Sequence, residues 1–231
     1  MVITNNIAAY AGMIDHTNLK PFATKEDWRV LCAQAQERGF KSVAINNAGI
    51  AYCKEFLADS NVLVDAAVGF PLGQNTLAVK VFETIDAIEK GADEIDYVIN
   101  LSEVKNGHWQ YVTDEMKAIV EACGARNITC KTIFENCYLT ADEKIQLCEV
   151  ALCIRPDYIK TSTGFGTGGA TIADVALMKA CVGDGIKIKA AGGIRTGQQF
   201  LAMIDAGANR IGTSSGIAIV QELRKILGEL A

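Results

Sequence analysis

The sequence predicts a (β/α)8 barrel of the α/β class, forming a single domain over residues 1–231 with a short helix in front of the first strand. Three observations predict it. Strand-type and helix-type segments alternate along the whole chain, eight of each, at about 30 residues per unit. The 231 residues suffice for one undivided barrel, and no linker, low-complexity tract or shift in composition interrupts them. A doubly wound open sheet is the alternative, but it has no need of an eighth repeat.

Taken in order, an N-terminal helix precedes GMIDHTNL, a first strand with Asp15 near its end. Thr24 with Glu26 and Asp27 opens a helix that glycine stops at Gly39. SVAIN is the second strand, followed by a helix near Ile50–Leu57. VLVDAAVGF is the third, and its helix, Leu77–Lys90, stops at Gly91. EIDYVINL, the fourth, precedes a helix over Trp109–Cys123. ITCKTIFEN is the fifth, after which Thr140–Glu143 has the form of a capping box and opens a helix through Leu152. DYIKTS is the sixth, with a helix over Ala173–Cys181. IKIKAAGG is the seventh, with a helix near Gln198–Ala206. RIGTSSG is the eighth, and an amphipathic helix over Ile217–Leu230 closes the chain.

Composition narrows the function classes. Half the residues are apolar, Lys+Arg (22) nearly balances Asp+Glu (27), and the net charge is −5 without a basic cluster, so a nucleic-acid partner is not expected. Apolar runs are short, so no membrane span is expected, and the first residues lack the pattern of a secretory signal. The eight cysteines form no C-x-x-C pair and read as buried, reduced thiols of a cytoplasmic protein. Two dispersed histidines, His16 and His108, argue against a zinc site, so the chemistry is expected to use neither metal nor cofactor.

In a barrel the site lies where strands end and βα loops begin. Asp15, Asp96, Lys160 and Lys189 fall near those ends. Strand periodicity turns Ile186, Ile188 and Ala190 toward the helices and Lys187 and Lys189 toward the axis, with Lys160 inward on the neighbouring strand. Taken alone, Lys160 reads first as a strand-end lysine whose ammonium reaches water and only second as an amine nucleophile in a pocket. A nearby ammonium and partial burial both favour a neutral amine, but charge alone does not say which of Lys160 and Lys189 is the nucleophile. Asp96 serves either as a proton relay or as a neutralising partner. Lys187 is expected deeper, paired with an acid such as Asp65. Glycine-rich turns after the seventh strand (Gly192, Gly193, leading to Arg195) and the eighth (Gly212, Ser214, Ser215) stand where barrels bind phosphate. Arg195 meets either that phosphate or a surface carboxylate. An amine nucleophile, a proton relay and a phosphate grip together describe a Schiff-base aldolase acting on a small phosphorylated sugar and an aldehyde.

The motifs IDHTNL, GADEIDYVIN, DYIKTSTGF, KAAGGIRT and IGTSSG, in this order along nearly the whole chain, resemble the deoxyribose-phosphate aldolase family. The resemblance implies reversible cleavage of 2-deoxy-D-ribose 5-phosphate to D-glyceraldehyde 3-phosphate and acetaldehyde, in deoxyribose phosphate catabolism. It implies that Lys160 forms the Schiff base, Lys189 depresses its pKa and shuttles protons, and Asp96 donates and accepts them. Asp15 would order substrate hydroxyls through water, and Thr163, Gly164, Gly192, Gly193, Arg195, Gly212, Ser214 and Ser215 would line the substrate and its phosphate. The chain departs from the pattern at Ala44, where many members have cysteine, and at Phe165, where some have a basic residue. A transaldolase-like enzyme and a non-catalytic sugar-phosphate-binding barrel are the competing readings. Whether the chain forms a homo-oligomer, as a dimer or a tetramer, the sequence leaves open.

Overall fold

The computed structural model describes residues 6–228. Helix α1 (Ile7–Ala11), capped by the Asn6 side chain, leads into β1 (Ile14–Asn18). Then follow α2 (Lys25–Arg38), β2 (Ser42–Ile45), α3 (Ile50–Phe56), β3 (Leu63–Val68) and α4 (Leu77–Glu89). Next are β4 (Glu94–Val98), a short α5 (Leu101–Lys105), α6 (Trp109–Gly124), β5 (Thr129–Ile133) and α7 (Ala141–Ile154). The chain completes with β6 (Tyr158–Lys160), α8 (Ile172–Val182), β7 (Lys187–Ala191), α9 (Gly197–Asp205), β8 (Arg210–Thr213) and α10 (Gly216–Ile226). The eight strands pair in sequence order, all parallel, and β8 returns to β1 to close a barrel.

Local chemistry sets the helix starts. Thr24 with Asp27, Thr140 with Glu143 and Thr196 with Gln199 each form a reciprocal capping box, as the sequence predicts for the second of these. Gly39 ends α2 in the left-handed conformation, φ 67°, open to glycine at little steric cost. The added helix α5 follows from Asn100, whose side chain accepts the amides of Ser102 and Glu103. The expected end of the last helix, Leu230, lies outside the described residues. Among those residues no helix is long and apolar enough to cross a membrane.

Two cores result. Val43, Ile45, Val64, Ala66, Ile95, Tyr97, Ile159, Ile188 and Ala190 face outward and pack with the helices into one apolar cluster. The opposite parity carries Ser42, Asp65, Glu94, Asp96, Lys131, Lys189 and Arg210 into the barrel, where bulky branched apolar side chains usually dominate. The period-2 pattern therefore holds, but it separates apolar from ionic rather than core from solvent.

Two expectations are corrected, and one feature is new. Lys187 does not pair with Asp65. It is the first residue of β7, exposed at the N-terminal rim with its ammonium 5.5 Å from the Tyr158 ring centroid, while Asp65 is engaged by Lys131 and Lys189. Not all thiols are buried: Cys153 is exposed and Cys137 and Cys181 half-buried, although all eight are unpaired. A second ion pair, absent from the sequence reading, lies in the helix layer. Lys80 and Glu115 are both fully buried, 2.7 Å apart. Lys80 Nζ also donates to the Val98 carbonyl at 2.7 Å and Glu115 accepts the Asn100 amide at 2.9 Å, so the pair ties α4 and α6 to the end of β4.

Removing one partner leaves the other buried and uncompensated. Glu115→Ala is therefore expected to destabilise the protein by about 3–5 kcal/mol in denaturant unfolding, and the double substitution Lys80→Met with Glu115→Leu by clearly less. A Glu115→Ala protein as stable as its parent would contradict this account.

Candidate active site

Register places the reactive groups. Lys160, the last residue of β6, stands beside Lys189 of β7, and Asp96 of β4 beside Lys131 of β5. Asp96 is the hub. Its Oδ2 accepts from Lys160 Nζ at 2.5 Å and from Lys189 Nζ at 2.6 Å, and its Oδ1 lies 2.8 Å from Lys131 Nζ. Lys189 also meets Asp15 at 2.6 Å and Asp65 at 2.8 Å, and Lys131 meets Asp65 at 3.0 Å and Glu94 at 2.8 Å. Arg210 closes the network below, bonded to Asp15 and, at 2.8 Å, to Glu94, while the Ser42 hydroxyl donates to Asp15 at 2.7 Å. Four carboxylates and four cations, all nearly excluded from water, thus share one interior.

The cations do not behave alike. Burial disfavours the charged form of each lysine. For Lys189 the attraction of Asp15, Asp65 and Asp96 outweighs burial and holds its pKa above the usual lysine range. Lys131 is likewise raised, with Asp65, Asp96 and Glu94 overcoming its burial. For Lys160 burial wins over the attraction of Asp96, and the repulsion of Lys189 assists, so its pKa is lowered. This corrects the weight given to Lys189: burial is the first cause of the depression. The Lys160–Asp96 contact serves a neutral amine as well as an ammonium, since either donates an N–H. Asp96 is held well below the carboxylate range because the three lysines outweigh its burial. Asp65 moves the other way, pushed up to about 6 by burial and by Asp96.

Asp15, Asp65 and Glu94 each place an oxygen within 4.8 Å of the others, which could suit a metal ion. Each carboxylate already contacts Lys131, Lys189 or Arg210, so a metal would have to displace a cation.

Above this network opens a cleft of about 240 Å3. It brings together Lys160, Thr163, Gly164, Gly192, Gly193, Arg195, Gly212 and Ser214 from the expected set. Asp96 and Lys189 lie beneath it. Asp15 does not line it; fully buried and engaged by Lys189, Arg210 and Ser42, it sits in the layer below. Ser215 does not line it either, and its amide already donates to Thr213 Oγ1 at 2.9 Å. Gly212 has a packing reason as well: a Cβ there would stand 3.2 Å from Lys189 Cε. Gly192, at φ +88°, approaches Gly169 so closely that the Ala170 amide reaches its carbonyl at 3.0 Å.

Sequence reasoning missed Lys131, Glu94, Arg210, Glu135 and the loop after β1. Glu135, in the left-handed region at φ 54°, is buried and accepts both the amide and the hydroxyl of Thr163, whose oxygen in turn accepts the Phe165 amide at 3.0 Å. That chain of bonds shapes the turn at Gly164. Thr17, Asn18, Leu19 and Lys20, following β1, complete the cleft wall. Strand parity could have found Lys131 and Arg210, both inward; it carries no signal for a loop.

The family model described as DeoC/LacD family aldolase matches residues 10–222. Deoxyribose-phosphate aldolase of Lactobacillus acidophilus is 52% identical over 93% of this chain and 91% of its own length. The protein of that name from Thermococcus gammatolerans is 51% identical over 95% and 97%. The tetrameric deoxyribose phosphate aldolase structure from Aeropyrum pernix superposes with a TM-score of 0.90 at 30% identity, covering 96% of this chain and 94% of that one. With the match running through every strand that carries the buried lysine–carboxylate network, this chain belongs to the DeoC/LacD family of aldolases.

Proposed function

We propose that this chain is a metal-independent deoxyribose-phosphate aldolase that cleaves 2-deoxy-D-ribose 5-phosphate through a Schiff base on Lys160. One observation carries the reading: a water-excluded amine with a lowered pKa lies 2.5 Å from a carboxylate oxygen that a second lysine reaches from the other side.

The neutral Lys160 amine attacks the aldehyde carbon of the open-chain sugar, and loss of water gives an iminium. Deprotonation of the C3 hydroxyl then breaks the C2–C3 bond, the electron pair flowing into the iminium to form an enamine. Glyceraldehyde 3-phosphate departs; protonation of the enamine at its terminal carbon and hydrolysis release acetaldehyde and restore the amine. Asp96, in contact with both lysines, accepts and returns these protons with Lys189 in the same relay, and the charges of Lys131 and Lys189 keep Asp96 ionised. The glycine turns and Arg195 hold the phosphate at the far end of the cleft. A transaldolase-like activity would use the same lysine; the small cleft and the curated relatives favour the two-carbon donor. The eight unpaired thiols support a reducing, cytoplasmic setting.

We further infer that the chain self-associates through α4. Val79, Phe82 and Ile85, spaced three residues apart on one helical stripe, are 49%, 73% and 41% exposed.

Borohydride reduction in the presence of acetaldehyde should attach a two-carbon adduct to Lys160, located by peptide mapping; an adduct on Lys189, or none, would overturn the assignment. The trapping rate should rise with pH to a midpoint below the ordinary lysine value of about 10.4. Lys189→Leu should cut turnover by at least about a hundredfold. It should also move that midpoint upward, because its charge no longer disfavours the Lys160 ammonium, yet leave it below the ordinary value, because burial persists. A midpoint that falls or does not move would show that Lys189 has no such influence. By light scattering the protein should be larger than a monomer and Phe82→Glu should shrink it; a monomeric parent at micromolar concentration would remove the self-association.

A further inference from the structure

The cleft contains an unassigned cation. Lys20 lines it from the loop after β1, while Arg195 lines it from the loop after β7. Because β8 pairs with β7 on one side and β1 on the other, these two cations flank the Ser214 turn that follows β8. Lys20 is exposed, has no carboxylate within 4.0 Å among the described residues, and points its ammonium no closer than 5.9 Å to the Phe22 ring centroid. Asp27, which feels its charge, commits Oδ2 to the amide and hydroxyl of Thr24. The backbone around Lys20 is held, its amide donating to Asn18 Oδ1 and its carbonyl accepting from Asn46.

A phosphate monoester carries about −1.5 to −2 charges near neutral pH, more than one guanidinium balances. Two nearby amides are already used, that of Arg195 on Gln199 and that of Ser215 on Thr213. Phe165, on the loop after β6, offers no charge. The protein carries a net charge of −5, so local cations must draw an anionic substrate in. We propose that Lys20 is the second phosphate cation of this cleft, pairing with Arg195 across the Ser214 turn and setting the preference for phosphorylated over unphosphorylated sugar.

This inference rests on the aldolase reading and deepens it. The test compares 2-deoxyribose 5-phosphate with 2-deoxyribose in the parent, Lys20→Ala and Lys20→Arg enzymes. Lys20→Ala should raise KM for the phosphorylated sugar and lower the kcat/KM preference for it about tenfold, equivalent to 1.4 kcal/mol. Inhibition by inorganic phosphate should weaken in parallel, and Lys20→Arg should restore most of both. Acetaldehyde, which has no phosphate, should still label Lys160 in Lys20→Ala under borohydride. A preference unchanged in Lys20→Ala, or loss of that labelling, overturns the assignment of Lys20 alone. A parent enzyme that cleaves neither sugar overturns the aldolase reading and this inference with it.

Discussion

Everything in this barrel depends on balancing charge where water cannot. Asp15, Asp65, Glu94 and Asp96 face Lys131, Lys160, Lys189 and Arg210 in an interior nearly without solvent. An unpaired charge there is costly, so the charge of each group depends on its neighbours. If Lys160 becomes neutral while the rest remain charged, the interior holds one negative charge in excess. Asp65, pushed up to about 6, is the acid best able to take up the difference, and it contacts both Lys131 and Lys189. Burial is the first cause of both shifts, lowering the lysine and raising the aspartate. Lys189 and Lys131, each against three carboxylates, stay charged and leave Lys160 as the cation with the fewest partners.

The backbone makes this arrangement specific. Closure with β1 against β8 brings Asp15 and Arg210 together across 195 residues of sequence. Parallel register sets Lys160 level with Lys189, and Lys189 level with Arg210. Because apolar side chains occupy the outward parity, the helix-side core can stabilise the fold without filling the interior. The interior is then free for groups that favour chemistry over stability. Glycine at position 212 gives the Lys189 stem room to reach the centre.

Much of this was legible in the sequence. The alternation of segments revealed all eight strands, and parity put Lys160 and Lys189 inside. The same parity argument misplaced Lys187 because it says which way a side chain points, not how far along the barrel it lies; at the first position of β7 an inward direction is still the open rim. Lys131 carried the inward signal but sat within a strand lacking a glycine-rich exit, and Arg210 stands at the start of β8, at the opposite end from the turn that drew attention. Asp15 and Ser215 stand outside the cleft wall for a different reason. Whether a carboxylate or an amide is free for substrate depends on partners distant in sequence, Arg210 for one, and on the Thr213 hydroxyl for the other.

The barrel mouth is also divided, which no one-dimensional pattern expresses. Phe70, after β3, and Phe165, after β6, meet edge to face with centroids 5.4 Å apart, so their loops join over the arc of the mouth between those strands. The cleft opens on the remaining arc, walled by the loops after β1, β6, β7 and β8. Lys160 stands at the boundary, its amine open to the cleft while Asp96 and Lys131 belong to strands β4 and β5 under the aromatic side. Placing the nucleophile there reconciles two opposed needs. Its nitrogen must meet a polar sugar, yet its lowered pKa requires exclusion of water. Phe165, which stands where the family pattern sometimes has a basic residue, meets Phe70 on the arc between β3 and β6 instead.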